Sequence, residues 1–138
     1  MLKKLCIGTA IVLGAAAIAN GLYMLAGPIA WYQSVPGVTT TGPFNQHFVR
    51  DIGLIFLLIG TSFLIGAAKP GMRLLLWATP TIWLSGHALF HLWEVAAGIS
   101  EHSTMVRDFA AVTLPAILGM AVTFWAARTG QGQNIAAS

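Results

Sequence analysis

Ionised side chains are what this sequence has least of. Seven Lys plus Arg and four Asp plus Glu make up 8% of its 138 residues, where a soluble domain carries about 25%. So few charges cannot keep the surface of a globule this size hydrated, which excludes a soluble enzyme and a disordered segment. The net charge of +3 comes from scattered residues rather than a basic face, so nucleic acid is excluded as a partner. Cysteine is almost as scarce. Cys6 stands alone, which rules out an internal disulfide and a cysteine zinc cluster. It precedes the first apolar run instead of ending it, so it is no lipoprotein cysteine and reads as a small packing residue. No G-x-S-x-G, Walker A, C-x-x-C or H-E-x-x-H sequence occurs, and four histidines are too few for the two-iron centre of membrane desaturases.

What is abundant is apolar length. Hydrophobic residues reach 57% and mean hydropathy is +0.76, the balance of an integral membrane protein with the lipid bilayer as its solvent. The gaps between charges mark the spans. Leu5 to Val49 is free of Asp, Glu, Lys and Arg, as are Ile52 to Ala68, Leu74 to Trp93 and Phe109 to Ala127. A crossing helix needs about 20 apolar residues, so the last three gaps hold one helix each. The first gap is too long for one helix and too polar in its second half for two. One helix ends there at Gly27-Pro28, and PIAWYQSV follows as an interfacial segment with Trp31 and Tyr32 at headgroup level. PGVTTTGPFN reads as loop, with Pro43 a first-turn residue of the next helix.

We therefore expect helices over 5–26, 46–68, 72–97 and 104–127, with an interfacial segment over 28–35, in a single transmembrane domain over 1–138. The fold class is all-α: an integral membrane four-helix bundle of two helical hairpins. In this layout the chain is similar to the small four-helix bacterial inner-membrane proteins of the DoxX type, a resemblance that implies the fold and no particular chemistry.

Several local features refine that picture. Lys3, Lys4, the apolar run and Ala17-Ile18-Ala19 also fit a secretory leader, but the run continues through Leu22 to Leu25, so an uncleaved helix is expected. Ala10 with Gly14, and Ala17 with Gly21, are small residues four apart, the spacing that lets helices approach closely in lipid. Pro80 and Pro115 should kink the third and fourth helices. Val49-Arg50-Asp51 recurs as Val106-Arg107-Asp108, each opening the second helix of a hairpin, which suggests a pseudo-twofold repeat. A chain this short has few residues to seal a cavity, and Trp77, Trp83, Trp93 and Trp125 offer apolar contact surface. A homo-oligomer or a place in a larger membrane complex is expected.

The ionisable residues are unevenly distributed. Under this topology Asp51, Glu94, Glu101 and Asp108 all fall at the extracytoplasmic end, with His47 and His102, while His91 lies just inside and His87 deeper. Ionisable groups in a membrane are costly and mark function by default. His87, His91 and Glu94 stand at i, i+4 and i+7, one stripe of one helix, and His47, Arg50 and Asp51 share a face of another. Imidazole with carboxylate and no thiolate is the ligand set of zinc, copper or iron. The candidate metal ligands are thus His47, Asp51, His87, His91 and Glu94, in a redox or metal-handling role. Alternatively Arg50 and Arg107 neutralise Asp108 and Asp51 crosswise, making a structural ion-pair layer of an accessory subunit. A third reading sets haem b between His47 and His87 or His91. Phe90-His91-Leu92-Trp93-Glu94 resembles the Arg-His-Leu-x-x-Asp segment of succinate dehydrogenase membrane anchors, with Phe90 for the arginine and the acidic Glu94 one place before the aspartate position. That resemblance implies a haem- or quinone-binding subunit of a respiratory complex.

Basic residues set the orientation. Lys3, Lys4, Lys69, Arg73 and Arg128 share one side and only Arg50 and Arg107 lie on the other, so both termini are expected in the cytoplasm of a bacterial inner membrane. Reporter fusions after Ser138 and in the Lys69–Arg73 turn should both give a cytoplasmic signal; a periplasmic signal at either reverses the orientation.

Overall fold

The computed structural model describes residues 1–136, with side chains described to Gly130. Among the described residues the chain is helical, with no strand. The elements are α1 (Leu2–Ala26), α2 (Pro28–Ser34), α3 (Gln46–Ala68), α4 (Arg73–Ala96), α5 (Ser103–Asp108) and α6 (Leu114–Ala136), with a widened π turn over Phe109–Thr113 joining the last two. The expected boundaries hold closely through α4, and α6 runs beyond the expected 127. Three segments are long and apolar enough to cross a membrane: α1, α3 and the run Ser103–Gly130. The fourth long helix, α4, has the length, but Thr79, Pro80, Thr81, Ser85, His87 and His91 leave it less apolar.

Local chemistry explains the breaks. Gly27 leaves the helical region at the end of α1, and Pro28 starts α2 at a position whose N–H needs no helical partner. The start of α3 belongs to Asn45 rather than Pro43. Its side-chain oxygen accepts from the Phe48 N–H at 3.1 Å, satisfying one of the donors a helix leaves free in its first turn. Pro115 lacks the N–H that would bond the Ala111 carbonyl, and its ring crowds that turn. The π turn that ends just before it relieves the conflict.

Each long helix has two long neighbours, α1 with α3 and α6, and α4 with α3 and α6; the seam between α1 and α3 is the most intimate. Glycine makes it so. A Cβ on Gly14 would stand 2.9 Å from the Gly60 carbonyl oxygen, and one on Gly21 would stand 2.6 Å from that of Gly53. The buried face of α1 is Cys6, Ala10, Gly14, Ala17, Gly21 and Met24, which includes the small-residue spacing seen in the sequence. Cys6 is indeed a packing residue.

The centre of the molecule is aromatic. Phe63 and Trp77 are fully buried, and the Trp77 indole N–H donates to the Phe63 carbonyl at 3.0 Å. Trp77 is therefore core and not contact surface. Arg73, read in the sequence as part of a basic turn, points inward. It is 8% exposed, its Nε donates to the Gly66 carbonyl at 3.0 Å and its Nη2 to that of Ala67 at 3.1 Å. Its guanidinium also lies over the rings of Trp77 and Trp125. The last carbonyls of α3 lack helical partners and carry the negative end of the helix dipole, so a cation held on aromatic faces suits them. Thr81 and Thr123 hydroxyls meet at 3.1 Å and tie α4 to α6.

The two Val-Arg-Asp tripeptides do different work. Val49 is buried and the Arg50 Nε donates to the Leu25 carbonyl at 3.3 Å. Val106 is 83% exposed, and Arg107 bonds its own neighbour Asp108.

The glycine seam yields a test. Gly60→Val should lower stability by about 1–3 kcal/mol through overpacking. Gly86→Ala, whose added methyl meets nothing within 4 Å, should be neutral or stabilising by up to about 1 kcal/mol. Thermal unfolding in detergent measures both, and equal stability of the Gly60 variant would remove the close approach as a determinant.

Candidate functional site

The histidine stripe of α4 survives in three dimensions, extended by one residue that the sequence reading missed. Trp83, His87 and His91 stand at successive i+4 positions, so they stack along one face. The Trp83 and His87 rings are 5.1 Å apart and nearly parallel, and His87 meets His91 edge-on at 4.7 Å. Phe56 of α3 packs its ring against Trp83. Spacing alone would have picked out Trp83, since it continues the His87–His91 interval by one turn.

The outer end of this ladder is an ionic knot. His91 Nδ1 lies 3.2 Å from Asp108 Oδ2. The same carboxylate accepts from Arg107 twice, Nε to Oδ1 at 2.6 Å and Nη2 to Oδ2 at 3.1 Å. The side chains of His91 and Asp108 are 28% and 15% exposed, so solvent screens the pair less than it would at an open surface. Adjacent residues do not normally face each other on a helix. Here they can, because α5 ends at Asp108 and the chain widens into the π turn.

Chemistry assigns the proton. An ionised carboxylate held by a guanidinium can only accept, so His91 Nδ1 donates to it, and Nε2 is left without a partner among the described residues. A carboxylate that fixes ring orientation in this way is the usual supporting partner of a metal-binding histidine.

Arg107 makes a further contact. Its guanidinium lies directly over Gly37, a residue with φ of 85°. That backbone conformation favours glycine, and any Cβ there would run into the guanidinium. The knot therefore pins the loop before α3 against α5.

The remaining candidates lie apart from this cluster. His47 is 90% exposed and bonds Asp51 one turn on, at 3.2 Å, on the surface of α3. The Glu94 carboxylate makes no hydrogen bond among the described residues, and its backbone carbonyl instead closes the end of α4 by accepting from Ile99 and Ser100. Among the described residues no three His, Cys, Asp or Glu side chains are grouped to hold a metal ion. Of the five expected ligands, His87 and His91 come together, and their carboxylate neighbour is Asp108. The crosswise ion pairs are absent too. Asp51 is taken by His47 and Asp108 by Arg107, each partner being within a turn of sequence.

The knot predicts a coupling. Asp108→Ala should cost about 1.5–3 kcal/mol, the range for hydrogen bonds to charged groups. Gly37→Ala should also destabilise, by displacing the same guanidinium. The double variant should lose clearly less than the sum, since both act through Arg107. Asp51→Ala should stay within about 0.5 kcal/mol. Additive losses in thermal unfolding would separate the loop from the knot.

Compared with models of known families, with curated proteins and with solved structures, the chain matches none, and its function is read from these residues themselves.

Proposed function

We propose that this chain is a multi-pass protein of a bacterial inner membrane, a four-helix bundle with cytoplasmic termini, whose extracytoplasmic end carries a transition-metal site on His87 and His91. The membrane assignment is supported by three long apolar segments and by a charge content too low for a soluble surface. The site assignment is carried by one observation: two imidazoles one turn apart, of which His91 is held by Asp108 with its Nε2 free. Two nitrogens occupy part of the coordination sphere of zinc, copper or iron and leave positions for water, substrate or a partner subunit. Open positions suit a redox or metal-handling role better than a closed structural one. Apolar side chains such as Ile82, Leu89 and Trp93 are exposed along α4, a face that suits contact with lipid or with another apolar helix of a second copy or larger membrane complex.

A second reading has its own support. The contact of Arg107 with Asp108 and Gly37 suits a structural clasp that fixes the loop and needs no ion. Haem b shared between His47 and an α4 histidine has less support, since the His47 ring is exposed and bonded to Asp51.

Metal analysis and a visible spectrum of detergent-purified protein separate these readings. Stoichiometric metal without a Soret band is expected. His87→Ala and His91→Ala should each remove most of it, and the double variant little more, because a chelate fails as a unit. His102→Ala should leave it in place. Full occupancy in the double variant overturns the site, a Soret band favours haem, and metal-free wild type leaves the clasp.

A further inference from the structure

The end of the molecule opposite the histidines holds a groove that the metal site does not use. It follows the seam between α1 and α6, the loosest of the four between long helices. One stretch of about 460 Å³ is lined by Leu5, Thr9, Leu118 and Trp125, with Arg128 at its edge. A second of about 380 Å³ continues from the same Leu5, Thr9 and Leu118 to Lys4. The two together are an open, apolar trough with a cation at its rim on each helix. The space over Gly8, which lines the second stretch, is open: a Cβ built there would meet nothing within 4 Å. The Arg128 guanidinium is spread over the Phe124 ring at 4.3 Å, an arrangement that leaves its edge N–H groups available to an acceptor.

Charge selects the occupant. All four acidic residues of the sequence, Asp51, Glu94, Glu101 and Asp108, lie at the far end of α3, α4 and α5, whereas Lys3, Lys4, Lys69, Arg73 and Arg128 gather at this one. No carboxylate of the chain is placed to neutralise Lys4 or Arg128 among the described residues. A second copy docking here about a twofold axis would bring cations toward cations. The geometry points to an anionic phospholipid, bound with one acyl chain along the α1–α6 trough and its phosphate between Lys4 and Arg128. This inference rests on the membrane reading above.

The test uses the full chain reconstituted in nanodiscs of equal phosphatidylglycerol and phosphatidylcholine, transferred to mild detergent, with retained lipid measured by native mass spectrometry. Wild type should retain phosphatidylglycerol in preference. Lys4→Gln and Arg128→Gln should each reduce that preference about fivefold, the effect of one basic residue at an anionic surface. Lys69→Gln, at the same end but outside the trough, should leave it unchanged. Thr9→Trp, which fills the trough, should lower retention of both lipids. Equal retention of the two lipids by wild type overturns the proposal, as does an unchanged preference in Arg128→Gln, a surface substitution that leaves the helix seams intact. A dimer peak lost in Thr9→Trp would assign the trough to a second copy and overturn it likewise. Alkaline extraction of the chain from vesicles is read separately: extraction overturns the membrane reading and this inference with it, while retention in vesicles without lipid preference overturns this inference alone.

Discussion

Where α1 crosses α3, Gly14 lies on Gly60 and Gly21 on Gly53, and the backbones come closer than any side chain would permit. In the lipid environment proposed for this chain apolar side chains would gain nothing by leaving the solvent for one another, so helix association would depend on close packing and on polar contacts. Two glycine contacts seven residues apart on each helix fix both the depth and the rotation of α3 against α1. The rest follows from that placement. It sets where Phe63 meets Trp77, where Phe56 reaches Trp83 on α4, and where the chain leaves α1 for the loop that carries Gly37.

Two arginines of this molecule are held by different partners at its two ends, Arg73 buried and Arg107 nearer the surface. Arg73 has no carboxylate. It satisfies the free carbonyls at the end of α3 and rests on two tryptophan rings, which disperses its charge without a second ion. Arg107 has both a carboxylate and a glycine beneath it. The difference follows from the distribution of the acidic side chains, which lie at one end of the molecule. It also divides the molecule chemically, with imidazole and carboxylate at one end and cations beside an apolar trough at the other.

The histidines gain their character from this division. His87 sits among aromatic rings, while His91 is oriented by a carboxylate that Arg107 already neutralises. An imidazole oriented by a part-buried carboxylate, with its outer nitrogen without a partner among the described residues, is better placed as a ligand than an exposed ring such as His47. The cost of ordering His91 is met within the fold itself.

The helix positions were legible because their signals are local. Apolar run length and Gly27-Pro28 each act on the few residues around them, and α3 ends at Ala68 where its charge gap ends. The stripe Trp83, His87, His91 was legible in the same way, since i+4 spacing puts side chains on one face whatever surrounds the helix. The partners of the charged groups were not legible. That Asp108, rather than Asp51 or Glu94, meets His91 depends on how far α5 is turned before the π turn and how deep it sits against α4. That Arg73 points inward depends on the open carbonyls of a neighbouring helix and on a tryptophan fifty-two residues away. Periodicity determines which face a residue occupies. Rotation and depth of one helix against another, settled here by glycine contacts and a proline-widened turn, decide what that face touches.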